Sequence, residues 1–230
     1  QKNNLDVYTP STKKDVTDLI FKINPDLIIV VAYGMIIEKT VVDSYFCINV
    51  HASLLPKYRG ASPIQAALLN GDLTTGVTLI QLNEFMDAGP ILLKRECDIN
   101  PTDNHGVLSE KLAELGAKLL VEFIAENYLL NQVVRVEQNH SEASYCKKIL
   151  KNDLIIDDSM SVNEIHCKIK AFSPKPGAFI LQDSKRIKLL ESKIENNEII
   201  LIVVQPEGKS PMQYSDYLLG NPNGVNIYGQ

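Results

Sequence analysis

Two rhythms of apolar and polar residues run along the chain. From Thr12, T-K-K-D-V-T-D-L-I-F-K-I sets Val16, Leu19, Ile20 and Ile23 at helical spacing, which predicts a helix packed into a core by that stripe. Asn24-Pro25-Asp26 stops it, because the residue before a proline is pushed out of the helical region. Leu27 to Ala32 is a short, continuous, β-branched run, which predicts a strand covered on both faces. A short helix around 38–44 and a second buried strand around 46–50 follow. Pro63 to Leu69 opens with proline at a helix start and stops at Asn70-Gly71. Residues 76–82 and 90–99 predict two further strands, the second nearer an edge because it carries Lys94, Arg95 and Glu96. The clearest amphipathic helix spans 105–127, with Leu108, Leu112, Leu115, Leu119 and Phe123 on one stripe. Helices alternating with short strands predict an α/β fold, a mostly parallel, Rossmann-like sheet with helices on both faces.

After Tyr128 the rhythm weakens. Residues 132–158 are polar and aperiodic, the composition of a connection between domains. A helix over 162–171 leads to F-S-P-K-P-G, and short apolar runs at 178–181, 187–190 and 199–204 predict a small β-barrel or sandwich. The resulting division is 1–131, a linker at 132–158, and 159–230.

Composition narrows the class. With 45% apolar and 22% charged residues, the chain of 230 has the balance of a folded globular protein. Its net charge of -5 excludes a surface that is basic overall. The charge is uneven, with 11 Lys and Arg against 16 Asp and Glu over 1–131, and 9 against 5 over 147–188. The four cysteines (Cys47, Cys97, Cys146, Cys167) are scattered and form no C-x-x-C pair, so neither a disulfide framework nor a zinc site is predicted, and a reducing cytoplasm fits. The longest apolar run, Leu27 to Ile37, is broken by Gly34 and is too short for a bilayer span. The start, Q-K-N-N-L-D, has neither Met nor an apolar leader, from which we expect the gene to begin upstream of this chain.

The chemistry concentrates at C-I-N-V-H-A-S-L-L-P-K-Y-R-G, residues 47–60. Strand alternation puts Asn49 and His51 on one side, roughly 6.5–7 Å apart, where the apolar run stops. In open α/β sheets that edge is where ligands bind. Asp87, in M-D-A-G after a later predicted strand, reaches the same edge if the two strands are parallel. An imidazole that exchanges protons near neutral pH, a carboxylate that orients it and an amide that donates to an oxyanion suit acyl transfer to an amine. On spacing alone a plainer reading stands beside this one. The polar pair can simply be loop hydrogen bonders at a strand end, Asp87 a turn residue, and Arg59 an exposed charge.

The longer string N-V-H-A-S-L-L-P-K-Y-R-G-A-S-P-I-Q, residues 49–65, resembles the signature of the folate-dependent formyltransferases. T-G-V-T-L-I-Q-L at 75–82 and I-H-C-K-I-K-A-F-S-P-K-P-G-A at 165–178 resemble, more narrowly, the branch acting on methionyl-tRNA. The resemblance implies that Asn49, His51 and Asp87 are catalytic, that Ser53, Leu54, Leu55 and Pro56 form a tetrahydrofolate loop, and that Tyr33, Gly34, Met35 and Ile36 line the pterin pocket. It implies transfer of a formyl group from 10-formyltetrahydrofolate, without a metal, to the α-amino group of methionyl-initiator tRNA by a cytoplasmic monomer with no membrane attachment. The last domain would be OB-like and tRNA-binding. Arg59, Lys147, Lys148, Lys151, Lys168 and Lys170 are our candidates for phosphate contacts, chosen for their charge. Members of the family begin about two βα units ahead of this chain, so the resemblance implies a missing N-terminal portion. A small-amine formyltransferase and a non-catalytic folate- or tRNA-binding remnant remain the alternatives.

Overall fold

The computed structural model describes residues 5–227. The first four residues of the expected first domain and the last three of the expected final domain lie outside the described residues. The chain forms two compact units. One takes the chain up to Arg59, Val77–Arg95 and Gly116–Ser144, and the other takes Gly60–Gly76, Glu96–Leu115 and the chain from Tyr145.

In the first unit, α1 (Lys13–Ile23) starts on a capping box in which Thr12 Oγ1 accepts from the Asp15 N–H and the Asp15 carboxylate accepts from the Thr12 N–H. The helix forms where its spacing predicts, but no residue of it is buried, and Phe21 meets the Tyr45 ring edge-on at 5.5 Å. The four-stranded sheet has the order β1-β2-β4-β5, with β1 at Ile28–Val31, β2 at Cys47–His51, β4 at Thr74–Gln81 and β5 at Ile91–Asp98. The short helix α2 (Lys39–Ser44) joins β1 to β2 and buries Val41.

Two expectations change here. Among the described residues β1 lies at the edge of the sheet, with Ile29 and Val31 exposed on alternate positions, where the apolar run predicts a strand covered on both faces. The sheet is mixed instead of mostly parallel. β1 and β2 run parallel, whereas β2 and β4 are antiparallel, pairing Asn49 with Ile80 and His51 with Thr78. The second edge is β5, where its charges placed it. Helix α4 (His105–Phe123) continues into a π-helical turn over Ile124–Tyr128. Gly116 of this helix allows close approach to the sheet, since a Cβ there would lie 3.0 Å from Val50 Cγ1. Val50 and its face are thereby committed to packing, which leaves Asn49 and His51 on the opposite face.

The second unit holds α3 (Pro63–Leu69), packed on α5 (Val162–Phe172). Helix α5 begins on a Ser161–Glu164 capping box and buries Ile165, Ile169, Ala171 and Phe172. It lies against an antiparallel sheet of order β10-β9-β8-β7, formed by Ala178–Gln182 (β7), Lys185–Glu195 (β8), Glu198–Pro206 (β9) and Met212–Gln213 (β10). Its strands are longer than the sequence runs suggest, and among the described residues the sheet is open, with β7 and β10 as its edges. Helix α6 (Tyr214–Gly220) adds Tyr217 to the core. The sequence reading missed this helix, although Tyr214, Tyr217 and Leu218 follow the i, i+3, i+4 spacing of a helix face. The two-residue strands β3 (Arg59–Gly60) and β6 (Tyr145–Cys146), which pair with each other, are too short to leave a periodic trace.

Candidate active site

The last polar positions of β2 are held between two loops. Asn49 and His51 project from one face, as strand alternation requires. Asp87 reaches them from the loop after β4. Because β4 runs antiparallel to β2, its end pairs with the start of β2, Gln81 opposite Ile48. The loop therefore has to fold back along the sheet to deliver the carboxylate, instead of emerging at a shared edge. Gly89 permits this fold, since any Cβ there would sit 1.8 Å from the Gln81 carbonyl oxygen. Asp87 itself takes the left-handed backbone region at φ 49°. For a non-glycine residue that conformation costs energy and persists where neighbouring contacts hold it.

The three side chains converge. Asn49 Nδ2 donates to Asp87 Oδ1 at 3.1 Å, and His51 Nδ1 lies 3.7 Å from the same oxygen. The second distance is ion-pair range, longer than a hydrogen bond. On the far side of the ring, His51 Nε2 lies 2.8 Å from the carbonyl oxygen of Tyr58. A carbonyl only accepts, so Nε2 carries the proton, and Nδ1 is the nitrogen that can take up or give a proton next to Asp87. His51 is 6% exposed and the Asp87 side chain 13%, so charge on either is little screened by water. Cys47, at the start of the same strand, is buried and its thiol is pushed up to about 11 by that burial, so it is packing and not a nucleophile.

The S-L-L-P loop is fixed by its own bonds. Thr78 Oγ1 donates to the Ser53 carbonyl at 2.6 Å and accepts from the Leu55 N–H at 3.1 Å. Ser53 Oγ donates to the Lys57 carbonyl at 2.6 Å, and the Leu55–Pro56 peptide is cis. Ser53 and Leu55 are fully buried, so their side chains shape the loop, and the partly exposed Leu54 and Pro56 are the ones it presents outward. Tyr33, Gly34, Met35 and Ile36 leave the end of β1, and in the parallel register Val31 pairs with Val50, one residue before His51. Tyr33 and Ile36 are exposed, as are Phe85 and Met86 beside Asp87.

The expected phosphate contacts divide. Arg59 is not an exposed charge. It is 2% exposed, its Nε and Nη2 donate to Gln138 Oε1 at 3.1 and 2.6 Å, and Nη2 lies 3.0 Å from His140 Nδ1. A guanidinium so enclosed belongs to the frame of the site and does not present itself to a phosphate. Lys147, Lys148 and Lys151 are exposed. Lys168 donates to the Ile155 carbonyl, and partial burial lowers the pKa of both Lys168 and Lys170. Sequence reading missed Tyr58, Thr78 and Gln138 altogether. Tyr58 and Thr78 lie within the resembling strings but give no local sign of their roles, Gln138 lies in none, and each acts through a partner distant in the chain or through its backbone. Among the described residues no group of three or more His, Cys, Asp or Glu side chains is arranged to hold a metal ion, and no helix is long and apolar enough to cross a membrane.

Residues 2–124 match the family model described as formyl transferase, and residues 148–199 match the formyl transferase C-terminal domain. The methionyl-tRNA formyltransferase of Ehrlichia canis (strain Jake) is 39% identical over 247 residues, spanning 96% of this chain and 79% of that protein. Its counterpart from Pseudoalteromonas translucida is 36% identical over 97% of this chain and 79% of its own length. Among solved structures, methionyl-tRNA formyltransferase from Clostridium thermocellum superposes with a TM-score of 0.64 at 23% identity, covering 85% of this chain and 82% of that one. HypX from Aquifex aeolicus, crystallised with tetrahydrofolic acid, gives 0.72 at 17% identity over 90% of this chain and 41% of its own. These two structures speak for the fold, and the sequence matches carry the kinship. By both domain matches and by its identity to these relatives, the chain belongs to the formyl transferase family.

Proposed function

We propose that this chain transfers the formyl group of 10-formyltetrahydrofolate to the α-amino group of methionine carried by initiator tRNA, in the cytoplasm. The observation that carries the proposal is the meeting of Asn49, His51 and Asp87 on one buried sheet face, in a chain whose relatives are methionyl-tRNA formyltransferases. The transfer forms a bond between the formyl carbon and the amine nitrogen, breaks the bond from that carbon to N10 of the folate, and moves one proton from the amine to N10. Asn49 gives one amide proton to Asp87 and has a second for the formyl oxygen as charge builds on it. His51, its Nε2–H held by the Tyr58 carbonyl, moves the proton through Nδ1, and Asp87 faces the cationic ring while it does so. Water is kept from this exchange by the burial of His51.

In this reading Leu54, Pro56, Tyr33, Met35 and Ile36 contact the folate, Ser53 and Leu55 hold the loop in shape, and Gly34 leaves room beside it. Residues 1–131 carry the chemistry, 132–158 connect while lending Gln138 and Ser144 to the frame of the site, and 159–230 form an OB-like portion that meets tRNA with help from Lys147, Lys148 and Lys151. The test is a formylation assay that offers charged initiator tRNA beside small amines such as an amino sugar. Formyl-methionyl-tRNA as the product supports the proposal, and transfer to the small amine alone overturns it.

A further inference from the structure

We propose that Gln138, braced by Arg59, is the positioning residue that fixes Asp87 against Asn49 and His51. The proposal rests on the formyl-transfer reading of the site and adds to it a residue outside the signature motifs, 51 positions from Asp87.

Gln138 is 5% exposed and spends every hydrogen-bonding group of its side chain on this frame. Nε2 donates to the Asp87 carbonyl at 2.9 Å and to the Gly89 carbonyl at 2.7 Å. Oε1 accepts from Arg59 Nε and Nη2. The partners define which end of the amide is which. Turned over, its nitrogen would face guanidinium donors and its oxygen would face two carbonyls. The clamp grips the backbone on both sides of Ala88, where the loop needs it. Asp87 sits in the left-handed region, and Gly89 is pressed onto the Gln81 carbonyl. The loop's internal bonds are local and near its tip, Phe85 N–H to Asn83 Oδ1 at 3.0 Å and Ala88 N–H to the Phe85 carbonyl at 3.4 Å. Phe85 and Met86 are exposed and give little anchorage. With the Asp87 carbonyl held, its Cα is held, and the carboxylate falls within reach of both Asn49 and His51.

The same frame holds the ring from its other side. Arg59 directly follows Tyr58, whose carbonyl accepts from His51 Nε2. The Tyr58 N–H donates to Ser144 Oγ at 2.9 Å, and the Arg59 N–H donates to the Ser144 carbonyl at 2.9 Å. Segments 58–59 and 138–144 therefore tie the proton-carrying ring and its carboxylate partner to one support. Gln138 touches no reacting atom, so its effect on rate has to pass through Asp87.

The experiment uses the full chain with 10-formyltetrahydrofolate and charged initiator tRNA under single-turnover conditions. Gln138→Met keeps the length and removes the amide. Gln138→Glu keeps the shape and sets an oxygen against the two carbonyls. Each change should slow transfer about 10–100-fold while folate-analogue binding stays close to wild type, since misplacement by about 1 Å costs that much. In an Asp87→Ala background the same change should cost less than about twofold, because residues acting as one unit are not additive. Amide exchange over residues 83–89 should also quicken in Gln138→Met and Gln138→Glu alike. An equal loss in both backgrounds, no loss in the wild-type background, or unchanged exchange over 83–89 overturns the proposal. If Gln138→Met does not fold, Gln138→Glu carries the same comparison. A wild-type chain that transfers no formyl group, or an Asp87→Ala change without effect, contradicts the formyl-transfer reading instead, while the exchange measurement still decides the role of Gln138.

Discussion

The sheet β1-β2-β4-β5 and the sheet β10-β9-β8-β7 each have four strands, yet they bury different things. The first and its loops enclose His51, Thr78, Ser53, Arg59 and Gln138, every one engaged in a hydrogen bond. The second and its helices enclose Ile165, Ile169, Phe172, Ile180, Leu189 and Val204 in an apolar cluster. Burying a polar group costs free energy unless a partner meets it, and the surrounding chain supplies partners for these five, whereas Thr75 Oγ1 of β4 is buried without one. The cost is accepted where chemistry needs dry, oriented groups. The second sheet carries no such demand, and its interior is left to packing.

That contrast can be broken at four places, in descending order of effect. His51→Ala should slow formyl transfer by around 10²–10⁴-fold while calorimetric binding of a folate analogue persists, and near-normal turnover would show that the ring carries no proton. Leu189→Ala, in the apolar interior, should lower unfolding free energy by about 2–5 kcal/mol in a denaturant titration and leave the chemical step per folded molecule nearly unchanged. A loss below about 1 kcal/mol would mean that the second core is not tightly packed. Thr78→Val removes the hydroxyl serving both the Ser53 carbonyl and the Leu55 N–H. It should cost about 1–3 kcal/mol in the same titration despite its nearly equal volume, and a neutral outcome would show that the loop at 53–56 does not depend on it. The smallest effect belongs to Lys147→Ala, which should weaken tRNA binding modestly and lower the salt-dependence slope by about one unit. An unchanged slope would remove Lys147 from the tRNA surface.

The sequence discloses what local pattern controls. Alternation alone put Asn49 and His51 on one side, helical spacing marked α1 and α4, and charge marked β5 as an edge. Strand direction lay beyond it. Whether β4 runs with or against β2 depends on how the chain returns after α3, and nothing in T-G-V-T-L-I-Q-L reports that. The apolar run of β1 looked doubly covered because β-branched residues at successive positions read alike whether one face is covered or both. The burial of Arg59 was hidden for a similar reason. Its partner is 79 positions away in a stretch whose polar composition suggested a slack connection. Periodicity cannot register a brace built from one glutamine, and none of the resembling motifs includes residue 138.

The most direct measurement of the central claim is a single-turnover comparison of the wild-type chain with Asp87→Asn, using 10-formyltetrahydrofolate and charged initiator tRNA. The wild type should place the formyl group on the methionine α-amine, and the variant should do so about 10²-fold more slowly or worse while still binding a folate analogue. No formyl-methionyl-tRNA from the wild type, or equal rates from both chains, would contradict the account.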